Sequence, residues 1–190
     1  MRKIFHSVVI LLLLCASPLA ANNNKTRKAD EILKAAQSKA ADQSKPIFLV
    51  FGASWCEGCH QLDTFLADPE IAAIFDKYFI VTSLTFGEGA AGHRDWDTPG
   101  ADSLIEKYGG VFSDGSADLP FVAILDAKAK LIVSSRQPGR VRVPGGPATG
   151  FPTAPDQIKW FLSMLRKCAP AITPEETAKI ADALQKAVAE

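Results

Sequence analysis

The chain has 190 residues, of which 47% are hydrophobic and 22% charged, a balance that supports one globular domain with a real core and excludes a disordered polymer. Its 21 lysines and arginines are matched by 21 aspartates and glutamates, so there is no net field to recruit nucleic acid or an anionic membrane. Partner recognition has to come from local chemistry.

Met1-Arg2-Lys3, an apolar run from Val8 to Leu14, and then small residues with Pro18 and Ala20-Ala21 have the layout of a secretory signal peptide. Cleavage is expected near Ala20 or Ala21, which divides the chain into a signal segment, 1–21, and a domain, 22–190. At a rise of about 1.5 Å per residue the apolar run is too short to cross a bilayer comfortably, so a retained anchor is the weaker alternative and no stable span is expected after cleavage. Leu14 stands where a lipoprotein signal wants a small residue before Cys15, which counts against lipidation. Cys56, Cys59 and Cys168 then remain. Three cysteines are too few for a disulfide-stapled scaffold, and two of them are left for chemistry.

Ala29 to Ala41 is rich in strong helix formers, with Ile32, Leu33, Ala36 and Ala40 at helical spacing, and Pro46 ends it. Ile47 to Phe51 is a continuous apolar run, as expected of a strand buried on both faces. From Cys56 the pattern turns helical, with Leu62, Phe65 and Leu66 on one face, and Asp68-Pro69 restarts a second helix carrying Ile71, Ile74 and Phe75. Tyr78 to Leu84 reads as a strand. Residues 85–99 lack periodicity and read as a long loop, before a short helix from Ala101 to Tyr108 that ends at Gly109-Gly110. Pro120 opens the strand Phe121 to Leu125, and Asp126 to Lys130 turns the chain into Leu131 to Ser134, an antiparallel hairpin.

Residues 136–155 hold five of the 12 prolines and read as a surface loop. Order returns at Asp156 with a helix over Gln157 to Lys167, and Pro174-Glu175-Glu176 opens a last helix through Val188. Strands alternating with helices call for parallel pairing and the hairpin adds antiparallel strands. The expected fold is therefore α/β, with a mixed central sheet between helix layers.

Cys56 and Cys59 stand three apart where a buried strand hands over to a helix, so both sulfurs face one side of the first turn. The free amides and dipole of a helix start stabilise a thiolate, bringing such a cysteine to a pKa of roughly 3.5–7.5. Cys56, nearer the terminus and flanked by Trp55, is the expected nucleophile, and Cys59 the resolving thiol. Trp55 offers a flat apolar platform to a substrate peptide, with core packing as the alternative. Glu57, inside the motif, is a candidate proton shuttle, against the alternative of a solvated surface carboxylate.

A Cys-x-x-Cys pair also occurs in zinc sites, but no second ligand pair is spaced for one, and no metal or cofactor is expected. Cys56-Glu-Gly-Cys-His60 also spells the attachment pattern of a c-type haem, for which Met164 or His93 would supply the sixth ligand. His93, Asp95 and Asp97 form a polar cluster expected to be solvated. Trp96 and Trp160 are assigned to packing, and Cys168 to a small buried position.

The run FLVFGASWCEGC, Phe48 to Cys59, resembles the strand and active-site loop of the thioredoxin superfamily, and Leu119-Pro120-Phe121 is similar to its second signature. The longer WCEGCHQLDTFLADPEIAAIFDKYF resembles a group of secreted bacterial thioredoxin-like proteins, and the likeness spans roughly 45–135. It implies a thioredoxin-like three-layer α/β/α fold for that core; the 136–155 loop and the last helix lie outside the thioredoxin pattern, so the C-terminal helices expected over about 156–190 include an extra helix at the end. It implies a cis bond before Pro120, facing the dithiol, with the Leu119 backbone offered to an extended substrate. The implied activity is that of an exported, periplasmic or secreted protein-disulfide reductase or oxidoreductase, with disulfide-containing proteins as substrates and an upstream thiol donor. A binding or redox-sensing protein without turnover is the other class. Two departures stand out: Val50 occupies the place of the buried aspartate that thioredoxins keep six residues before the first cysteine, and Gly58 replaces their proline.

Overall fold

The computed structural model describes residues 27–139 and 150–189; the expected signal segment and the middle of the 136–155 loop lie outside the described residues. The chain opens with α1 (Ala29–Gln43), whose first turn carries Asp30 and Glu31 at the positive end of the helix dipole. Ala29, Ile32, Leu33, Ala36 and Ala40 form its buried stripe. Ser44 closes it in the left-handed conformation, at φ 53°, and Pro46 leads into β1 (Ile47–Gly52).

Next come α2 (Glu57–Ala67) and α3 (Pro69–Tyr78), separated only by Asp68, whose carboxylate accepts from the backbone N–H groups of Glu70 and Ile71 at 2.9 and 3.1 Å. An aspartate cap followed by proline at the first helical position explains why the helix breaks and restarts within one residue. The rest of the chain supplies β2 (Ile80–Thr85), α4 (Ala101–Lys107), β3 (Phe121–Leu125), β4 (Leu131–Ser134), α5 (Pro155–Cys168) and α6 (Pro174–Ala189).

The sheet order is β2-β1-β3-β4. β1 runs parallel to β2, with Ile47 opposite Ile80, and antiparallel to β3, with Val50 opposite Val122. As the expected double burial requires, β1 alternates between two cores. Ile47, Leu49 and Phe51 join Phe121, Ala123 and Leu125 beneath α1 and α4. Phe48 and Val50 join Val122 and Ile124 beneath α2, α3, α5 and α6. Phe48 is the hinge of this second core, with edge-to-face contacts to Phe75, Phe79 and Phe161 at ring separations of 5.1–6.1 Å. The architecture is the expected three-layer α/β/α fold around a mixed sheet, with α6 added at the C-terminus.

Three boundaries differ from the sequence reading. Tyr78 ends α3 instead of starting a strand, because its hydroxyl is tied to the C-terminal region: it donates to Glu176 Oε2 at 2.8 Å or the Ala171 carbonyl at 2.9 Å. The 85–99 loop contains two 3-10 turns, Glu88–Ala91 and Arg94–Trp96. The end of the 136–155 loop is core rather than surface, since Phe151 is 3% exposed and stacks edge-on against Phe65.

β4 carries a one-residue irregularity: Val133 pairs with Ile124 and Leu131 with Leu125, leaving Ile132 unmatched. The Ile132 carbonyl accepts from Lys167 Nζ at 3.3 Å, and that of Ser134 from the Trp160 indole at 3.2 Å, both donors coming from α5. Among the described residues no helix is long and apolar enough to cross a membrane.

Candidate active site

Cys56 and Cys59 form a disulfide, with Cα atoms 5.2 Å apart. β1 ends at Gly52, a short turn closes with the Cys56 N–H bonded to the Ala53 carbonyl at 3.2 Å, and Cys56 becomes the N-cap of α2. Its extended backbone, φ −91° and ψ 106°, aims the sulfur at the open end of the helix, where Sγ accepts from the Cys59 N–H at 3.2 Å. Cys56 and Cys59 are both 5% exposed, so the cap position, not accessibility, is what distinguishes Cys56. A Cβ at Gly52 would stand 3.3 Å from Cys59 Sγ, so this strand end leaves room for the second sulfur.

The loop before Cys56 is anchored through Ser54. Its N–H donates to Glu88 Oε1 at 2.6 Å and its hydroxyl to Glu88 Oε2 at 2.7 Å, while its carbonyl accepts from His60 Nε2 at 2.8 Å. That last contact puts the ring hydrogen on Nε2. Next in the chain, Trp55 is 49% exposed, and its indole N–H donates to the Gly87 carbonyl at 2.8 Å. Gly87, at φ +90°, lies between Trp55 and Leu119: a Cβ there would be 3.7 Å from Trp55 Cζ2 and 3.6 Å from Leu119 Cδ1.

The Leu119–Pro120 peptide bond is cis. A Cβ on Gly58 would meet Pro120 Cδ at 3.2 Å, Phe151 Cβ at 3.4 Å and the Leu119 carbonyl oxygen at 3.7 Å, which brings the motif, the proline and the end of the 136–155 loop to one place. A Cβ at Gly150 would clash with the Leu119 carbonyl carbon and the Pro120 nitrogen of that same peptide. The structure thus gathers Trp55, Cys56, Cys59, Leu119 and Pro120 on one rim. Glu57 is exposed at the first position of α2. Asp63, one turn beyond Cys59, has its carboxyl pushed up by partial burial, with His60 pulling the other way.

The other candidates lie apart from this rim. Val50 is buried in the phenylalanine core, and Met164, 1% exposed, is in that same core. His93 stacks on Trp96 at a ring separation of 4.0 Å, and Trp96 is 38% exposed rather than packed inside. Asp97 Oδ1 accepts from the Glu88 N–H at 3.0 Å, so it braces the 85–99 loop. Cys168 is half-buried, and its thiol is pushed up to about 11 by that burial. Among the described residues no three His, Cys, Asp or Glu side chains are grouped to hold a metal ion. The residue that sequence reasoning missed is Glu88, 1% exposed and hydrogen-bonded through both carboxylate oxygens. Nothing in an aperiodic loop marked it; the one available signal was the glycine on either side of it, Gly87 and Gly89.

A family model described as thioredoxin-like matches residues 29–127, more than half of the chain. The chain belongs to this thioredoxin-like family. No curated protein matches it significantly. Among solved structures, a disulphide isomerase from Xylella fastidiosa Temecula1 is 27% identical, with 61% of this chain and 79% of that one covered and a TM-score of 0.47. The C-terminal domain of Neisseria meningitidis DsbD in its oxidised form is 23% identical, with 63% and 90% covered and a TM-score of 0.38. A thioredoxin from Thermus thermophilus is 19% identical, with 74% and 83% covered and a TM-score of 0.41. In this thioredoxin-like chain the family match takes in β1, the dithiol, α2, α3 and β3, and stops short of the 136–155 loop, α5 and α6.

Proposed function

We propose that this protein is an exported thiol-disulfide oxidoreductase that reduces or exchanges protein disulfides through Cys56 and Cys59. The observation that carries the reading is the dithiol pair at the start of α2 with Cys56 as its cap, because a helix start stabilises the thiolate that exchange requires. The Cys56 thiolate attacks one sulfur of a substrate disulfide, the S–S bond breaks, and the departing thiolate takes a proton. Cys59, deprotonated, attacks Cys56 Sγ in the mixed disulfide, closing the 56–59 disulfide and releasing the second substrate thiol. Two electrons pass to the substrate, and an upstream dithiol donor returns two to reset the pair.

Substrate peptide lies against Trp55 and alongside Leu119 and Pro120, the three non-cysteine residues of the rim. Val50 leaves the Cys59 proton without a neighbouring buried carboxylate of the thioredoxin type, and Glu57, exposed at the helix start, serves as the shuttle through solvent. The domain spans 22–190 after removal of segment 1–21, and the protein works in the periplasm or outside the cell, where disulfides persist. Two measurements test the reading. Reduction of insulin disulfides should be catalysed, and Cys59→Ala should trap mixed disulfides on Cys56. A Cys56 pKa near 8.5 with no turnover would leave a binding or redox-sensing role instead.

A further inference from the structure

The geometry points to Glu88 as a positioning residue for disulfide exchange, acting through Ser54 on the Trp55-Cys56 segment. This inference rests on the oxidoreductase reading above. Glu88 is the most buried acidic side chain among the described residues, and both of its oxygens are spent on one partner two residues before the nucleophile. A buried carboxylate is tolerated only when its acceptors are filled, and bonds to a charged acceptor are the stronger kind. Ser54 fills both, with a backbone and a side-chain donor, so the carboxylate fixes the orientation of that peptide and not merely its location.

The support behind Glu88 is as specific as the contact in front of it. The excursion from Phe86 to Asp97 is closed at its base by Thr85 and Thr98: the Thr98 N–H donates to the Thr85 carbonyl at 2.9 Å, and Thr98 Oγ1 accepts from the Thr85 N–H at 3.0 Å. The Phe86 N–H donates to the Gly52 carbonyl at 2.8 Å, joining the loop to the end of β1. Within the loop, Asp97 holds the Glu88 N–H, and the Gly87 carbonyl holds the Trp55 indole. From the opposite side His60, the residue after Cys59, holds the Ser54 carbonyl. The peptide leading into Cys56 is therefore gripped from the loop through Glu88 and from α2 through His60, and its rotation would move both the indole and the sulfur. Attack on a disulfide requires the three sulfurs in line, and a misplacement on the order of 1 Å costs about a hundredfold in rate.

The test uses the full chain in a Cys59→Ala background, where the mixed disulfide persists, with oxidised glutathione as the disulfide. Glutathionylation of Cys56 is followed by mass across pH, which gives a thiolate pKa and a limiting rate, and melting is recorded beside it. Glu88→Gln keeps the shape but removes the charge, so the contacts to Ser54 lose their charge-assisted strength even if the new amide donates to the hydroxyl. It should lower the limiting rate about tenfold in protein still folded at the assay temperature. Ser54→Ala, which keeps the N–H contact, should lower it about threefold, and the double variant should be no slower than Glu88→Gln alone, since both act through one contact. A Glu88→Gln protein with the parent pH–rate profile overturns the inference, as does a double variant whose loss is the product of the two singles. Should Glu88→Gln fail to fold, Ser54→Ala decides: a slowed limiting rate supports the inference and the parent rate overturns it. A parent that does not react with glutathione at any pH removes the oxidoreductase reading and this inference with it.

Discussion

Gly150→Ala probes the joint between the 136–155 loop and the rim. The added methyl would coincide with the Leu119 carbonyl carbon and the Pro120 nitrogen, which are backbone atoms and cannot rotate away. Either the 150–152 segment lifts off, taking Phe151 from its contact with Phe65, or the Leu119–Pro120 peptide is displaced at the rim. Overpacking of this kind costs about 1–3 kcal/mol. In a chain of this length each kcal/mol moves the melting temperature by about 2–4 °C, so a drop of about 4–8 °C, for a cost of about 2 kcal/mol in the middle of that range, is expected by circular dichroism. Gly92→Ala is the control: at φ +84° with nothing within 4 Å it bears only the left-handed backbone cost, about 1 kcal/mol. Both variants should melt early, but only Gly150→Ala should also slow the reaction of Cys56 with oxidised glutathione. A Gly150→Ala protein that melts with the parent and reacts at its rate would refute the packing argument.

Three further expectations follow from other contacts. Gly58→Ala should fail to deliver the roughly 0.5–1 kcal/mol that alanine gains over glycine in a helix, because Pro120 and Phe151 already stand 3.2 and 3.4 Å from the new methyl; a melting temperature raised by more than about 2 °C would show that those neighbours give way. Glu176 is held down to about 2 from its ordinary 4.5 by hydrogen bonds from Lys77, the Thr173 N–H and Tyr78. Its contribution is complete above the ordinary value and is lost as pH falls from 4.5 toward 2, so the parent's melting temperature should drop more steeply over that window than that of Glu176→Gln. Equal slopes would count against the tie between α3 and α6. With its thiol raised to about 11, Cys168 should label slowly with iodoacetamide at pH 7.5 in the folded protein and quickly in denaturant, by mass spectrometry; equal rates would contradict its burial.

The sheet and its helices were legible because their signals are periodic. The five-residue apolar run at Ile47, the stripe of α1 and the aspartate-proline restart at Asp68 each encode their structure locally. The dithiol was legible for the same reason, since a strand, a glycine and a helix stand in direct succession around it. Glu88 was not, because its partners are 34 residues away and its burial depends on a loop that has no period. Phe151 was hidden by its own setting: proline and glycine density marks irregular backbone, and that was read as surface, whereas irregular backbone here packs onto a second irregular segment at Pro120. Trp96 failed the other way, an aromatic assigned to the interior that lies flat on His93 at the surface.

The unmatched Ile132 has a consequence for the outer edge of the sheet. A strand with a regular ladder on its open side is a template for any extended chain it meets, and natural proteins blunt such edges with bulges and lysines. β4 has both devices at one residue, a broken register and Lys167 seated on the freed carbonyl. A foreign strand approaching there would have to repair the register and evict a charged side chain before its first pair of bonds could form. The bulge and the lysine together make this edge a poor template for a second extended chain, whatever the dithiol at the other end of the sheet engages.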